Sequence, residues 1–348
     1  MDKKKVILDV DTGSDDAIAI ILAVLHPDLD VLGITTVNGN KPLPNTTENT
    51  LRVIDLLGEG EHIPVYMGCA DPMVAELSPE RHAESRQAPQ KIEVNGEIVE
   101  YHSEYLDMLP PSITKVQEKR AVPYLIDTLM ASEGDITLIP VGPLTNIAVA
   151  MRAEPRIKGK IKRIVIMGGG HGISNRTSAA EFNIWKDPEA AQIVLTSGCD
   201  VMLVPLDSTH AGDVTLEESR TIRKLGTPVA VAVADLLDQR IKAYDIFQPQ
   251  KIAGSTPPHD ALVVASVIDP DVLKDVQLKR VDVDFGGSIC DGRTMVDSRV
   301  YPDNPPNIHI ALDCDRQRFV KLLTDTIALS VKDGEWDETR DKAVIKSK

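Results

Sequence analysis

Short, uninterrupted runs of β-branched and aliphatic residues recur along the chain, each followed by a longer stretch with helical spacing. The runs are Val6–Val10, Val31–Thr36, Ile136–Val141, Ile161–Met167, Val201–Pro205 and Asn307–Leu312. A strand that is apolar at every position needs cover on both faces, the condition of a parallel sheet sandwiched between helices. The helical stretches are Asp15–Leu25, Asn45–Leu57, Ala121–Ser132, Asn146–Ala153, Pro188–Ser197, Glu217–Tyr244, Asp260–Ile268 and Arg316–Val331. Their alternation predicts an α/β fold: an open, mostly parallel central sheet with helices on both faces and ligands at the carboxyl ends of the strands. The 348 residues read as a single domain with its core at about 5–332 and a polar tail at 333–348.

One stretch, 70–119, breaks the rhythm: it is polar and punctuated by proline. Within it, alternating residues flank Asn95-Gly96, a strong hairpin signal because both turn positions favour positive φ. A β-hairpin around 85–110 inserted into an α/β core reads as a lid or an oligomer contact, and equally as a passive surface excursion.

Composition narrows the function. With 38 basic against 53 acidic residues the net charge is −15, so the surface repels phosphate backbones and anionic lipid heads. Aromatic residues make up 3%, too few for a base-stacking platform. Neither nucleic acid nor membrane is expected as a partner. Cys69, Cys199, Cys290 and Cys314 are scattered, without CxxC spacing, and read as buried thiols in a reducing, cytoplasmic setting. Asp9 and Asp11 follow the first apolar run too closely for a secretory leader.

The most informative local feature is ILDVDTGSDDAIAI, Ile7 to Ile20. Asp9, Asp11, Asp15 and Asp16 crowd one strand–loop–helix turn and repel one another unless a cation neutralises them. Helix capping, with Ser14 as N-cap, accounts for Ser14 and one of Asp15 or Asp16, but leaves Asp9 and Asp11 without partners. Oxygen-only donors favour a hard cation, Ca²⁺ or Mg²⁺. An EF-hand is excluded, since the sixth position from Asp9 is Ser14 and the twelfth is Ile20. An aspartyl-nucleophile phosphatase fits poorly, because Gly13 stands where that pattern wants Thr or Val.

Further polar segments follow other strand ends. They are Thr36–Asn40; Ile139–Asn146, where the strand stops at Gly142-Pro143 and leaves carbonyls free for a cation; and Met167–Asp187. Asn175, Glu181 and Asn183 could ring a polyhydroxylated ligand, although ordinary loop hydrogen bonds explain each singly. His259-Asp260 opens an apolar helix after Pro257-Pro258, and the pair reads equally as site and as cap.

Taken in order, DVDTGSDDAIAI, Asn38–Asn40, VGPLTN, the segment from MGGG through AEFNIWKDPEAA, and PPHDA resemble the inosine–uridine-preferring nucleoside hydrolases from Val6 to about Val331. The resemblance implies hydrolysis of the N-glycosidic bond of ribonucleosides, purine or pyrimidine, in a homodimer or homotetramer. It implies one Ca²⁺ held by Asp11, Asp16, Asp260 and a backbone carbonyl, that of Val141. Asp11 is then the general base, and His259 assists departure of the base. Asp15, Asn40, Asn175, Glu181 and Asn183 hold the ribose, with Met167 packed on the sugar. Tyr244, Gln239 and Arg240 are candidates to touch the base, and a solvated helix face explains them equally. Many members close a His-Gly loop over the nucleoside. Here the corresponding stretch carries His82 without a following glycine, so closure must be built differently. Two other readings compete: a catalytically weak ribose- or nucleoside-binding protein, and a hydrolase of an unusual N-riboside.

Overall fold

The computed structural model describes residues 3–78, 81, 91–94, 96–300 and 303–331. Asn95, His82 and the tail at 333–348 lie outside the described residues. The N-terminal half contributes strands β1 (Lys4–Val10), β2 (Leu29–Thr36), β3 (Val65–Met67), the pair β4 (Lys91–Val94) and β5 (Glu97–Glu100), β6 (Ile136–Pro140) and β7 (Ile161–Met167). Then come β8 (Val201–Val204), β9 (Val214–Thr215), β10 (Ser255–Thr256), β11 (Leu273–Val283), β12 (Thr294–Asp297) and β13 (Ile308–Cys314). The helices are α1 (Ser14–Leu25), α2 (Leu43–Leu57), α3 (Ala121–Ala131), α4 (Thr145–Ala153), α5 (Phe182–Lys186) and α6 (Pro188–Leu195). They continue as α7 (Leu206–Thr209), α8 (Leu216–Arg223), α9 (Pro228–Phe247), α10 (His259–Ile268) and α11 (Arg316–Ala328).

Nine strands form the central sheet in the order β12-β11-β13-β8-β7-β6-β1-β2-β3. Pairings from β13 through to β3 are parallel, and β11 runs antiparallel to both β13 and β12. Alternate residues of each central strand enter different cores. Val6, Leu8 and Val10 pack with α1, α9, α10 and α11, whereas Ile7 packs with α3, α4 and α6. Val165 and Met167 face the first core, Ile164 and Ile166 the second. Helices on both faces therefore account for the unbroken apolar runs. Chain direction across the sheet switches at β1, whose neighbours are β2 and β6, and this switch point opens a crevice at the strand ends.

Several sequence expectations are corrected. The expected helix Glu217–Tyr244 is two helices, because Gly226 adopts φ +75° and Thr227 caps a new helix with Pro228 in its first turn. The edge strands β11 and β12 and the short β3 were not expected; the exposed residues of β11 do not alternate cleanly. Cys199 and Cys314 are buried as expected, whereas Cys69 and Cys290 are half-buried; all are free thiols. Among the described residues, no helix is long and apolar enough to cross a membrane.

Candidate active site

The acidic loop lies at the carboxyl end of β1. Gly13, and not the expected Ser14, is the N-cap of α1. Asp16 Oδ2 accepts the Gly13 N–H at 2.9 Å and its Oδ1 accepts the Asp11 N–H at 3.1 Å, so Asp16 holds the turn closed. Ser14, drawn into the first helical turn, accepts instead from Arg240 Nη1 at 3.1 Å. Asp9 also has partners: its Oδ1 accepts from Thr35 Oγ1 at 2.5 Å and Asn146 Nδ2 at 2.7 Å. It ties the ends of β1 and β2 to the start of α4 and is not among the crevice-lining residues. Burial outweighs these two bonds and pushes its carboxyl up to about 7.

Asp15, Asp16 and Asp260 bring one carboxylate oxygen each to within 4.8 Å of one another. Asp260 arrives from the first turn of α10, far along the sequence. Asp11 lies against this group: its Oδ2 accepts the Asn40 N–H at 2.6 Å, and Asn40 Nδ2 reaches Asp16 Oδ2 at 3.3 Å. Gly39 permits the approach, since a Cβ there would lie 2.0 Å from Asp11 Oδ2. No member of this quartet is more than 6% exposed, so water cannot dissipate the repulsion. Burial first, then the neighbouring carboxylates, raises Asp11 and Asp260 well above the usual range and Asp16 to about 7. Arg240 is the cation set against them, with Nη1 2.9 Å from Asp15 Oδ1 and 1% side-chain exposure. One guanidinium among four buried carboxyls leaves room for a divalent cation, and an all-oxygen donor set suits a hard one.

The opposite wall comes from β6, β7 and the loop into α5. Asn183 Nδ2 donates to the Val141 carbonyl at 2.7 Å and to the Met167 carbonyl at 3.3 Å. The Val141 oxygen keeps a second lone pair. Glu181 caps α5, accepting the Asn183, Ile184 and Gly169 N–H groups, while burial lifts its carboxyl to about 7. Asn175 Oδ1 accepts the Phe182 N–H at 3.0 Å. The loop hydrogen bonds considered from sequence are thus present, and the same residues line the crevice.

At the far end, His259 Nε2 lies 2.5 Å from Tyr244 Oη, and its Nδ1 lies 2.7 Å from Thr209 Oγ1. Burial, then nearby His210 and Arg240, lowers His259 well below the usual imidazole range. Tyr244 and Arg240 are buried in the crevice wall, which removes the solvated-face reading for both. Gln239 instead donates to Ser103 at 2.8 Å.

Five lining residues were missed from sequence: Arg176, Phe182, Gln248, Tyr101 and His102, of which the last two come from the insertion. Tyr101 and His102 follow the β4–β5 hairpin, which is held over the crevice by Lys242–Glu97 and Lys41–Glu100 ion pairs. The Tyr101 ring lies 5.3 Å from that of Tyr244 and 4.7 Å from that of Phe247. His102 Nδ1 accepts the Ser14 N–H at 3.2 Å, and burial lowers this imidazole to about 4, keeping the accepting lone pair free. No local spacing announces these residues. Their position depends on how the insertion folds back on α9.

Asp15, Asn40, Val141, Met167, Asn175, Glu181, Asn183, Tyr244, His259 and Asp260 line one crevice, and Asp11 and Asp16 are tied to its wall through Asn40. A carboxylate-lined crevice at the switch point of a parallel sheet, with the β4–β5 hairpin beside it, is the site of an α/β enzyme. The chain belongs to the inosine-uridine preferring nucleoside hydrolase family, whose sequence profile matches residues 6–321, and is an N-glycosyl hydrolase. The pyrimidine-specific ribonucleoside hydrolase RihB of Escherichia coli strain SE11 is 38% identical over 334 residues, covering 95% of this chain and 99% of the relative. A purine-preferring ribonucleoside hydrolase from Gardnerella vaginalis superposes with a TM-score of 0.79 at 31% identity, covering 94% of this chain and 99% of that one. The plant nucleoside hydrolase PpNRh1 also superposes at 0.79, with 28% identity and coverages of 93% and 99%.

Proposed function

We propose that the chain hydrolyses ribonucleosides to free base and ribose with the help of one Ca²⁺, pyrimidine ribonucleosides foremost. The observation that carries this reading is the buried convergence of Asp15, Asp16 and Asp260 within 4.8 Å, with Asp11 beside them. Asp11, Asp16, Asp260 and the Val141 carbonyl would hold the ion, and Asp15 would face the ribose. When bound, Ca²⁺ supplies a Lewis-acidic centre that orients the sugar diol and acidifies water. The 38% identity to a pyrimidine-specific relative over nearly the whole chain supports the base preference.

The residues suit a glycosyl transfer with an oxocarbenium-like transition state. Asp11 takes the proton of the attacking water. Asp15, Asn40, Asn175, Glu181 and Asn183 hold the ribose hydroxyls, and Met167 packs on the sugar face. Carboxylates and carboxamides fixed in a dry crevice stabilise the positive charge that develops on the ring. His259 assists departure of the base, with Tyr244 on the base side. The family resemblance supports a homodimer or homotetramer, and the four free cysteines support a cytoplasmic location.

The deciding experiment incubates purified protein with uridine, cytidine, inosine and adenosine and follows the release of reducing sugar. Turnover, fastest on the pyrimidines, is expected with Ca²⁺ present and is suppressed by extensive chelation. Silence across all four substrates with Ca²⁺ supplied would replace this reading with ribose binding or an unusual N-riboside.

A further inference from the structure

We propose that Thr209 is a positioning residue for the departing base, acting through His259 and Tyr244; this rests on the hydrolase reading above. All three side chains are buried, Thr209 being 1% exposed at the end of α7. Arg240 Nη2 lies 3.5 Å from Tyr244 Oη, and a guanidinium only donates, so the tyrosine oxygen accepts there. When His259 Nε2 carries the ring hydrogen, that oxygen accepts a second bond at 2.5 Å. Among the described residues the Tyr244 oxygen has no further hydrogen-bond partner, which leaves the phenolic hydrogen for a ligand in the crevice that this side chain lines.

Thr209 decides which nitrogen carries the ring hydrogen. Its hydroxyl has one hydrogen and two candidate acceptors, His259 Nδ1 at 2.7 Å and the Leu206 carbonyl at 3.4 Å. Donation along the shorter contact makes Nδ1 an acceptor and leaves the hydrogen on Nε2. Donors then align in one direction, Thr209 to His259 to Tyr244 to base, and each bond polarises the next. No proton changes atoms along this chain. The C1′–N bond breaks, its electron pair stays on the base nitrogen, and the Tyr244 hydroxyl donates a hydrogen bond to the electron-rich base. The new C1′–O bond comes from water, one of whose protons goes to Asp11, and the released base anion takes a proton from solvent.

The test compares uridine with para-nitrophenyl β-riboside, whose leaving group departs without hydrogen-bond assistance. In Thr209→Val, the ratio of kcat/KM for uridine to that for the nitrophenyl riboside is expected to fall about tenfold, the worth of one hydrogen bond. The loss should lie in kcat on uridine, Thr209→Ser should restore the ratio, and Thr209→Val should add nothing in a Tyr244→Phe background. Thr209→Ala serves as a second deletion, with melting curves separating lost fold from lost assistance. Equal slowing of both substrates, failure of serine to rescue, or multiplicative effects of Thr209→Val and Tyr244→Phe would overturn the role and leave the hydrolase reading intact. A wild-type protein that turned over neither substrate would overturn the hydrolase reading itself, and this role with it.

Discussion

Asp11 and Asp9 stand two positions apart on one strand end and do different work. Asp11 lies beside Gly39, bonded to the Asn40 N–H, and under the proposed function it takes the proton of the attacking water. Asp11→Asn should lower kcat by roughly 10²–10⁴-fold, the usual scale for a lost general base, with an unchanged circular-dichroism spectrum. Asp9 is bound between Thr35 and Asn146, and its carboxyl titrates in the folded protein at about 7 against an ordinary 3.8. The folded state therefore holds a proton here that the unfolded chain gives up, and stability falls as pH rises through that window. Wild-type stability relative to Asp9→Asn, measured by urea melts without cation, should decline between about pH 4 and about pH 7. A flat difference would contradict the assignment. The crowding of these carboxyls is readable from spacing alone. The partners of Asp9 are not, because Thr35 and Asn146 belong to separate strand and helix ends brought together only by the sheet.

At the scale of elements, strands buried on both faces are the readable ones, since every position must be apolar. The edge strand β11 escapes because solvent takes part of its surface and charge interrupts the pattern. The break between α8 and α9 was within reach: Gly226-Thr227-Pro228 carries a helix stop and a start in consecutive residues. What no local pattern conveys is the docking of the hairpin, which sets Tyr101 and His102 into the crevice. Its seat is Gly13, where a Cβ would fall 2.1 Å from His102 Nδ1. Gly13 has φ −104°, so alanine is tolerated by the backbone and the clash falls on His102. Gly13→Ala should raise KM for nucleosides several-fold while the melting temperature changes little. Unchanged KM would mean that the His102 contact contributes nothing to binding.

For the molecule as a whole, the buried carboxylates resist folding when no cation is present, and an ion that binds only the folded state offsets this. Ca²⁺ is expected to raise the melting temperature at pH 7, and the increment should shrink toward pH 5 as Asp16, which titrates at about 7, takes up its proton. Asp16→Asn should abolish most of the increment; a melting temperature indifferent to Ca²⁺ would remove the metal assignment. The acidic net charge of −15 is consistent with a small neutral substrate.

The carboxylates are anchored on the sheet ends, whereas Tyr101 and His102 of the crevice wall hang from a single excursion between β3 and α3. Under the proposed function, part of the wall around the base is thereby carried on a stretch of chain separate from the acidic turn. Exchange or remodelling of that one appendage could retune which nucleobase is admitted without touching the acidic turn, a route to new diets that leaves the chemistry intact.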